Sequence, residues 1–142
     1  MKITILAVGK MRGADAELCE EYKKRLKGPL SVREIAAPAP KAESEALLKA
    51  VAAKAFLVVC DERGKDLSSR ELAEQFAAWQ SRAELIFVIG GADGVSDALR
   101  TRADFILSLG RKTWPHRLAR IMLLEQLYRV QQINAGHPYH RD

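Results

Sequence analysis

Three stretches of this chain are almost wholly apolar and at most six residues long: ITILAV (residues 3–8), AFLVVC (55–60) and LIFVI (85–89). A strand with one wet face alternates apolar and polar side chains. A run that is apolar throughout needs cover on both faces, as in the middle of a parallel sheet. Two further runs, 30–36 and 105–109, read as strands of the same sheet. Helical spacing fills the gaps: Leu18, Tyr22 and Leu26 recur every four residues, and Leu47, Leu48 and Val51 share a helical face. Leu72, Phe76 and Trp79 form a third stripe, opened by Ser68 with Glu71 three residues later, the spacing of a capping box. Alternating strands and helices predict an open α/β parallel sheet with helices on both faces. With 142 residues and no internal repeat, the whole span 1–142 is expected to be one domain. The AAPAPKAESEA segment (36–46) reads as a surface loop leading into a helix.

The same runs limit what else the chain can be. None is long enough to span a bilayer. MKITILAVGK has no small-residue cleavage site and reads as a first strand, not a signal peptide. Cys19 and Cys60 lie far apart without CxxC spacing, which argues for a reducing cytoplasm over a disulfide framework. A net charge of +5 permits a nucleic-acid partner without requiring one. Three histidines without matching carboxylate spacing suggest no metal.

The last helix is expected between Pro115, suited to a first helical position, and Gly136 followed by Pro138. Leu118, Ile121, Met122, Leu123, Leu124, Leu127, Tyr128, Val130 and Ile133 spread around most of its circumference. Such a helix needs more than one partner. Its own sheet supplies one; the other is a second copy in a homodimer, or further cover within the chain.

Three stretches carry candidate chemistry. FVIGGADGVSD (87–97) puts glycines directly after a strand and before a helix start at Ser96, where open α/β sheets bind small molecules. It lacks both the dinucleotide fingerprint and the P-loop lysine, and an ordinary turn would use the same residues. LSLGRKTWPHRLAR (107–120) gathers Arg111, Lys112, Arg117 and Arg120 around a loop and helix start, a place that favours anions or is simply a solvated basic loop. The tail, NAGHPYHRD, follows the helix as a polar strap. Tyr139 can stack, His140 can exchange a proton and Arg141 can hold a phosphate.

Taken together, IGGADG, LGRKTWPH with LLEQLYR, and the closing HPYHRD resemble the ribosomal RNA large-subunit methyltransferase H family, small members of the knotted SPOUT class. The AVGK near the start and VVCDERGK extend the likeness over nearly the whole chain. The resemblance implies a Rossmann-like sheet with a C-terminal trefoil knot and a cytoplasmic homodimer joined through the last helix. It implies S-adenosylmethionine as methyl donor, no metal, and N3 of a pseudouridine in the 23S rRNA of the assembled ribosome as acceptor. By matching position, the donor pocket falls on Cys60, Gly90, Leu109, Gly110, Arg111, Lys112, Thr113 and Trp114, and methyl transfer on Tyr139, His140 and Arg141. Five positions depart from the family pattern: Cys60 and Trp114 each stand for leucine, Ala92 and Asp93 in GADG for the proline and glutamate of GPEG, and Asp142 for glutamate. Two rivals are an RNA-binding module that kept the fold without the chemistry, and another nucleotide-using α/β enzyme. Intact cofactor and tail segments weigh against the first, and the missing phosphate fingerprints against the second.

Overall fold

A computed structural model describes residues 1–36 and 39–141. Ala37 and Pro38 of the expected surface loop, and Asp142 of the tail, lie outside the described residues. The chain alternates β1 (Lys2–Val8), α1 (Gly13–Arg25), β2 (Leu30–Ile35), α2 (Pro40–Ala50), β3 (Phe56–Asp66), α3 (Ser69–Ala78), β4 (Glu84–Ile89), α4 (Asp97–Arg102), β5 (Phe105–Ser108) and α5 (His116–Asn134). The five strands form one sheet in the order β2-β1-β4-β3-β5, and every adjacent pair is parallel.

The apolar runs are the strands with neighbours on both sides. One core packs Ile3, Ile5, Val58, Leu85 and Phe87 against Cys19 of α1, Leu72 and Phe76 of α3 and much of α5. The opposite core packs Leu6, Val8, Leu57, Val59, Ile86 and Val88 against Leu47 of α2 and Leu99 of α4. Helices therefore cover both faces, as the sequence predicts. The capping box forms: the Glu71 N–H donates to Ser68 Oγ at 3.1 Å and the Ser68 N–H to Glu71 Oε1 at 2.9 Å.

Four expectations need correction. Leu18 is 38% exposed. Side chains four residues apart drift by about 40° around a helix, so Leu18 turns outward and Cys19 takes the buried place. Pro115, with an extended ψ of 139°, precedes α5 as its N-cap instead of opening it. β5 ends at Ser108, leaving Leu109 outside the strand. The fourth concerns β3, which continues past Cys60 to Asp66 with an excursion: Cys60 and Lys65 both register with Leu107 of β5. Gly64 makes that return possible, because a Cβ there would lie 2.5 Å from the Ile106 carbonyl oxygen.

α5 has more cover than the chain length suggests. α1 runs alongside it in the same direction: Asp15 pairs with Arg117 at 3.0 Å, and Arg25 stands 5.9 Å from the Tyr128 ring centre. On its other flank, Ser69 of α3 donates to Gln126 at 2.6 Å, and Asn134 donates to the Ala73 carbonyl. Leu123, Leu124, Leu127 and Val130 are fully buried within the chain. Leu118 and Met122 stay partly exposed. A charge at Leu124 would thus test the fold, whereas a charge at Leu118 or Met122 tests assembly.

Candidate active site

Beyond the carboxyl ends of β3, β4 and β5 lies a cleft of about 310 Å³, the position where open α/β sheets bind ligands. Three segments build it. The first is the β3 excursion, with Cys60, Asp61, Glu62 and Arg63 on the wall. Asp61 accepts from Arg100 Nε at 2.5 Å and from the Arg63 N–H at 3.2 Å. Partial burial raises the Asp61 pKa, but the Arg100 hydrogen bond, the Arg63 N–H and both guanidinium charges outweigh it, leaving the carboxyl below its ordinary range. Burial, with the Asp61 charge beside it, pushes the Cys60 thiol up to about 12.

The second segment is the glycine turn after β4. The Gly94 N–H donates to the Gly91 carbonyl at 3.0 Å, closing a four-residue turn. Gly94 has φ +78°, and a Cβ on Gly90 would stand 2.4 Å from the Gly94 carbonyl oxygen. Gly90, just ahead of the turn, and Gly94 at its end therefore need glycine, whereas Ala92 and Asp93 inside the turn carry the departure from the family pattern. Ser96 caps α4 by accepting from the Leu99 N–H.

The third segment leaves β5. Ser108 Oγ accepts from the Gly110 N–H at 3.1 Å and donates to the Gly110 carbonyl at 2.8 Å, holding Gly110 at φ +106°. Thr113 Oγ1 donates to Glu62 Oε2 at 2.7 Å, clasping this segment to the β3 excursion. Trp114 Nε1 donates to the Leu109 carbonyl at 3.2 Å.

Of the donor residues expected from the sequence, Cys60, Gly90, Leu109, Gly110, Lys112, Thr113 and Trp114 all line this one cleft, together with Asp61, Glu62, Arg100 and His116. Arg111 is exposed and outside the lining. The sequence reading missed Asp61 and Glu62 because it ended the strand at Cys60; the glycine in DERGK was the available signal.

The tail lies elsewhere within the chain. Tyr139 packs edge-on against Tyr128, with ring centres 4.7 Å apart, and beneath Arg129 at 5.0 Å. Its hydroxyl donates to Glu125 Oε1 at 3.3 Å, and burial followed by the Glu125 charge raises its pKa. Arg129 Nη1 lies 3.0 Å from His140 Nδ1, while Nη2 donates to Glu125 at 2.6 Å. From His116 at the cleft to Arg129 at the tail, α5 rises about 20 Å. The chain thus brings seven of the donor residues expected from the sequence together, whereas Tyr139 and His140 dock on Glu125, Tyr128 and Arg129, outside the lining of that cleft.

This chain has the architecture and the glycine-lined cleft of a SPOUT-type protein: residues 1–140 match the family model described as "Predicted SPOUT methyltransferase". It is 46% identical to a protein named ribosomal RNA large subunit methyltransferase H from Rhodospirillum centenum, with 99% of each chain covered. It is 44% identical to one of the same name from Cereibacter sphaeroides, again over 99% of each. Among solved structures, a probable methylase family protein from Haemophilus influenzae Rd KW20 shares the fold, with a TM-score of 0.61 and 11% identity over 99% of this chain and 70% of that one. The chain belongs to the ribosomal RNA large subunit methyltransferase H family. Among the described residues no group of His, Cys, Asp and Glu could hold a metal ion, and no helix is long and apolar enough to cross a membrane.

Proposed function

We propose that this protein is a cytoplasmic single-domain enzyme, knotted at its C-terminal half, that methylates N3 of a pseudouridine in 23S rRNA of the assembled ribosome. The convergence of seven expected donor residues on one cleft carries the reading. That cleft suits S-adenosylmethionine. Ile89, Val95, Leu109 and Trp114 offer apolar walls, the glycine turn offers close backbone approach, and Arg100, Lys112, Asp61 and Glu62 offer charges of both signs for a zwitterionic end. When bound, S-adenosylmethionine supplies an electrophilic methyl group. What remains for the chain is to orient the base and remove the N3 proton. His140 accepts that proton, Tyr139 orients the base, and Arg141, Arg111 and Lys112 meet phosphates or base edges.

These roles require the tail to meet a cleft whose lining it does not join within its own chain, where it is separated from it on Glu125 and Tyr128. A homodimer with antiparallel α5 helices resolves the separation. A two-fold axis near Glu125, midway along the helix, sets the tail of one protomer beside the cleft of the other. Partly exposed Leu118 and Met122, with Leu18 on the adjoining helix, give that contact its apolar area.

Two measurements test this. S-adenosylhomocysteine at a hundredfold excess over its dissociation constant should stabilise the fold by about 2.7 kcal/mol, several degrees of melting temperature, whereas NAD should not. Labelled donor should yield N3-methylpseudouridine in ribosomes lacking the modification, read by nucleoside mass spectrometry; no transfer would refute the proposal. For assembly, Leu118→Glu with Met122→Glu should convert a micromolar dimer into folded monomers on sedimentation, because each charge would be buried unpaired. A wild-type monomer at that concentration would overturn the dimer.

A further inference from the structure

Trp114 enters the proposed chemistry only as an apolar wall of the cleft, a role that leaves its indole face and its N–H unexplained. Trp114 is 41% exposed, unusual for so large an apolar group. Its ring is not loose: the indole N–H donates to the Leu109 carbonyl at 3.2 Å, and Nε1 stands 4.0 Å from where a Cβ on Gly110 would be. The indole therefore lies folded over the backbone of the segment that Ser108 and Thr113 hold in place. An exposed indole kept over a cleft wall is an unsatisfied stacking surface. The Leu109 carbonyl beneath it is an acceptor that the indole occupies in the free protein.

We infer that Trp114 is the base-recognition element of the donor site, a latch that releases the Leu109 carbonyl and stacks on the purine ring of an adenosine-containing ligand. The inference rests on the donor reading above and adds how the ligand is told apart. A flat purine gains the indole face, and its exocyclic amine takes the carbonyl that the indole N–H gives up. Apolar contact with Ile89 and Val95 serves any small apolar ligand, whereas the plate and the freed acceptor together select a planar base carrying an amino group. Gly110 leaves the room in which the indole turns, since no side chain stands between the ring and the backbone.

The protein's own tryptophans read the experiment. Trp79, the other one, is 5% exposed and packed among Phe56, Phe76 and Phe105, so ligand-dependent change in emission reports Trp114. S-adenosylhomocysteine should shift the emission to the blue as the half-exposed ring is covered. Adenosine alone should produce the same shift, and methionine alone none. Trp114→Leu should abolish the shift and weaken S-adenosylhomocysteine about tenfold by calorimetry, while Trp114→Phe restores most of the affinity. Circular dichroism checks that both variants fold. Calorimetric binding without any change in emission, or equal affinity in wild type and Trp114→Leu, would overturn the latch and leave the donor reading standing. Absence of binding to the wild-type protein would remove both.

Discussion

A protein cut after Pro138 should bind S-adenosylhomocysteine normally and transfer methyl groups at least a hundredfold more slowly than the intact chain. Positioned proton acceptors commonly contribute about 10²–10⁴ in rate, and the cut also removes the groups that orient the base. The fold should survive with a modest loss. Tyr139 packs on Tyr128 and donates to Glu125, and an aromatic pair of this kind contributes about 1 kcal/mol, a few degrees of melting temperature at this size. Complementation then shows whose cleft the tail serves. Gly90→Val should disable the cleft, because its side chain meets the Gly94 carbonyl, yet leave the tail whole. Two inactive proteins, the truncation and Gly90→Val, should regain activity on mixing if tails cross between protomers, since each mixed dimer holds one complete site. Failure to rescue in mixtures verified to contain mixed dimers would return the tail to its own chain. Separate His140→Ala and His116→Ala variants divide the proton between tail and cleft wall: the first should lose turnover and keep donor affinity, and a larger loss in the second would reassign the base.

The largest stability effect should follow Arg120→Met. Arg120 is 3% exposed. Its guanidinium donates to Glu34 at 2.7 Å and to the Gly9 carbonyl at 3.0 Å, and Nε has no partner. Glu34 in turn accepts from the Met11 N–H at 2.7 Å. One buried cation thus ties the β1–α1 loop and β2 to the start of α5, beside the cleft. Removing one partner of a buried pair costs about 3–5 kcal/mol. Glu34 keeps some contact with water, so the lower end applies, a drop of about 10 °C. Proton linkage gives the pH signature. Burial raises the Glu34 pKa, but the Arg120 hydrogen bond, the Met11 N–H and nearby cations outweigh it and hold the carboxyl below its ordinary range. A depressed carboxyl contributes stability that is complete above its unfolded pKa and lost as pH falls through the folded one. The gap between wild type and Arg120→Met should therefore narrow in acid. A gap under about 2 °C near neutral pH, or one that widens in acid, would contradict this account.

How far the sequence carries varies with the physics of each element. β1, β3 and β4 announce themselves because both faces of a central strand are buried, and burial leaves an unbroken apolar run. The cap at Ser68 and the turn at Gly94 are local geometry, legible from a few residues. The excursion in β3 was easy to miss, since Asp61, Glu62 and Arg63 look like the polar end of a strand and only Gly64 hints that pairing resumes at Lys65. Arg120 looked like one more cation in a basic loop, because its acceptors lie 86 and 111 residues away in the chain. The docking of Tyr139 on Tyr128 depends on the chain reversing at Gly136 and so on three-dimensional proximity. The LGRKTW segment that lines the cleft was legible as a motif; where the tail docks relative to it was not, because its partners Glu125 and Tyr128 lie in the middle of the preceding helix.

Cys60 adds a chemical consequence. A methyl sulfonium alkylates thiolates, and here a cysteine stands in the wall of a cleft proposed to hold one. With its pKa at about 12, only about one thiol in 10⁵ is ionised at neutral pH. If the cleft holds such a donor, the protonated thiol resists alkylation by it, and the same protonation shields this position from peroxide. Leucine, the family's common residue here, achieves such inertness by having no sulfur; here desolvation and the Asp61 charge keep the sulfur protonated.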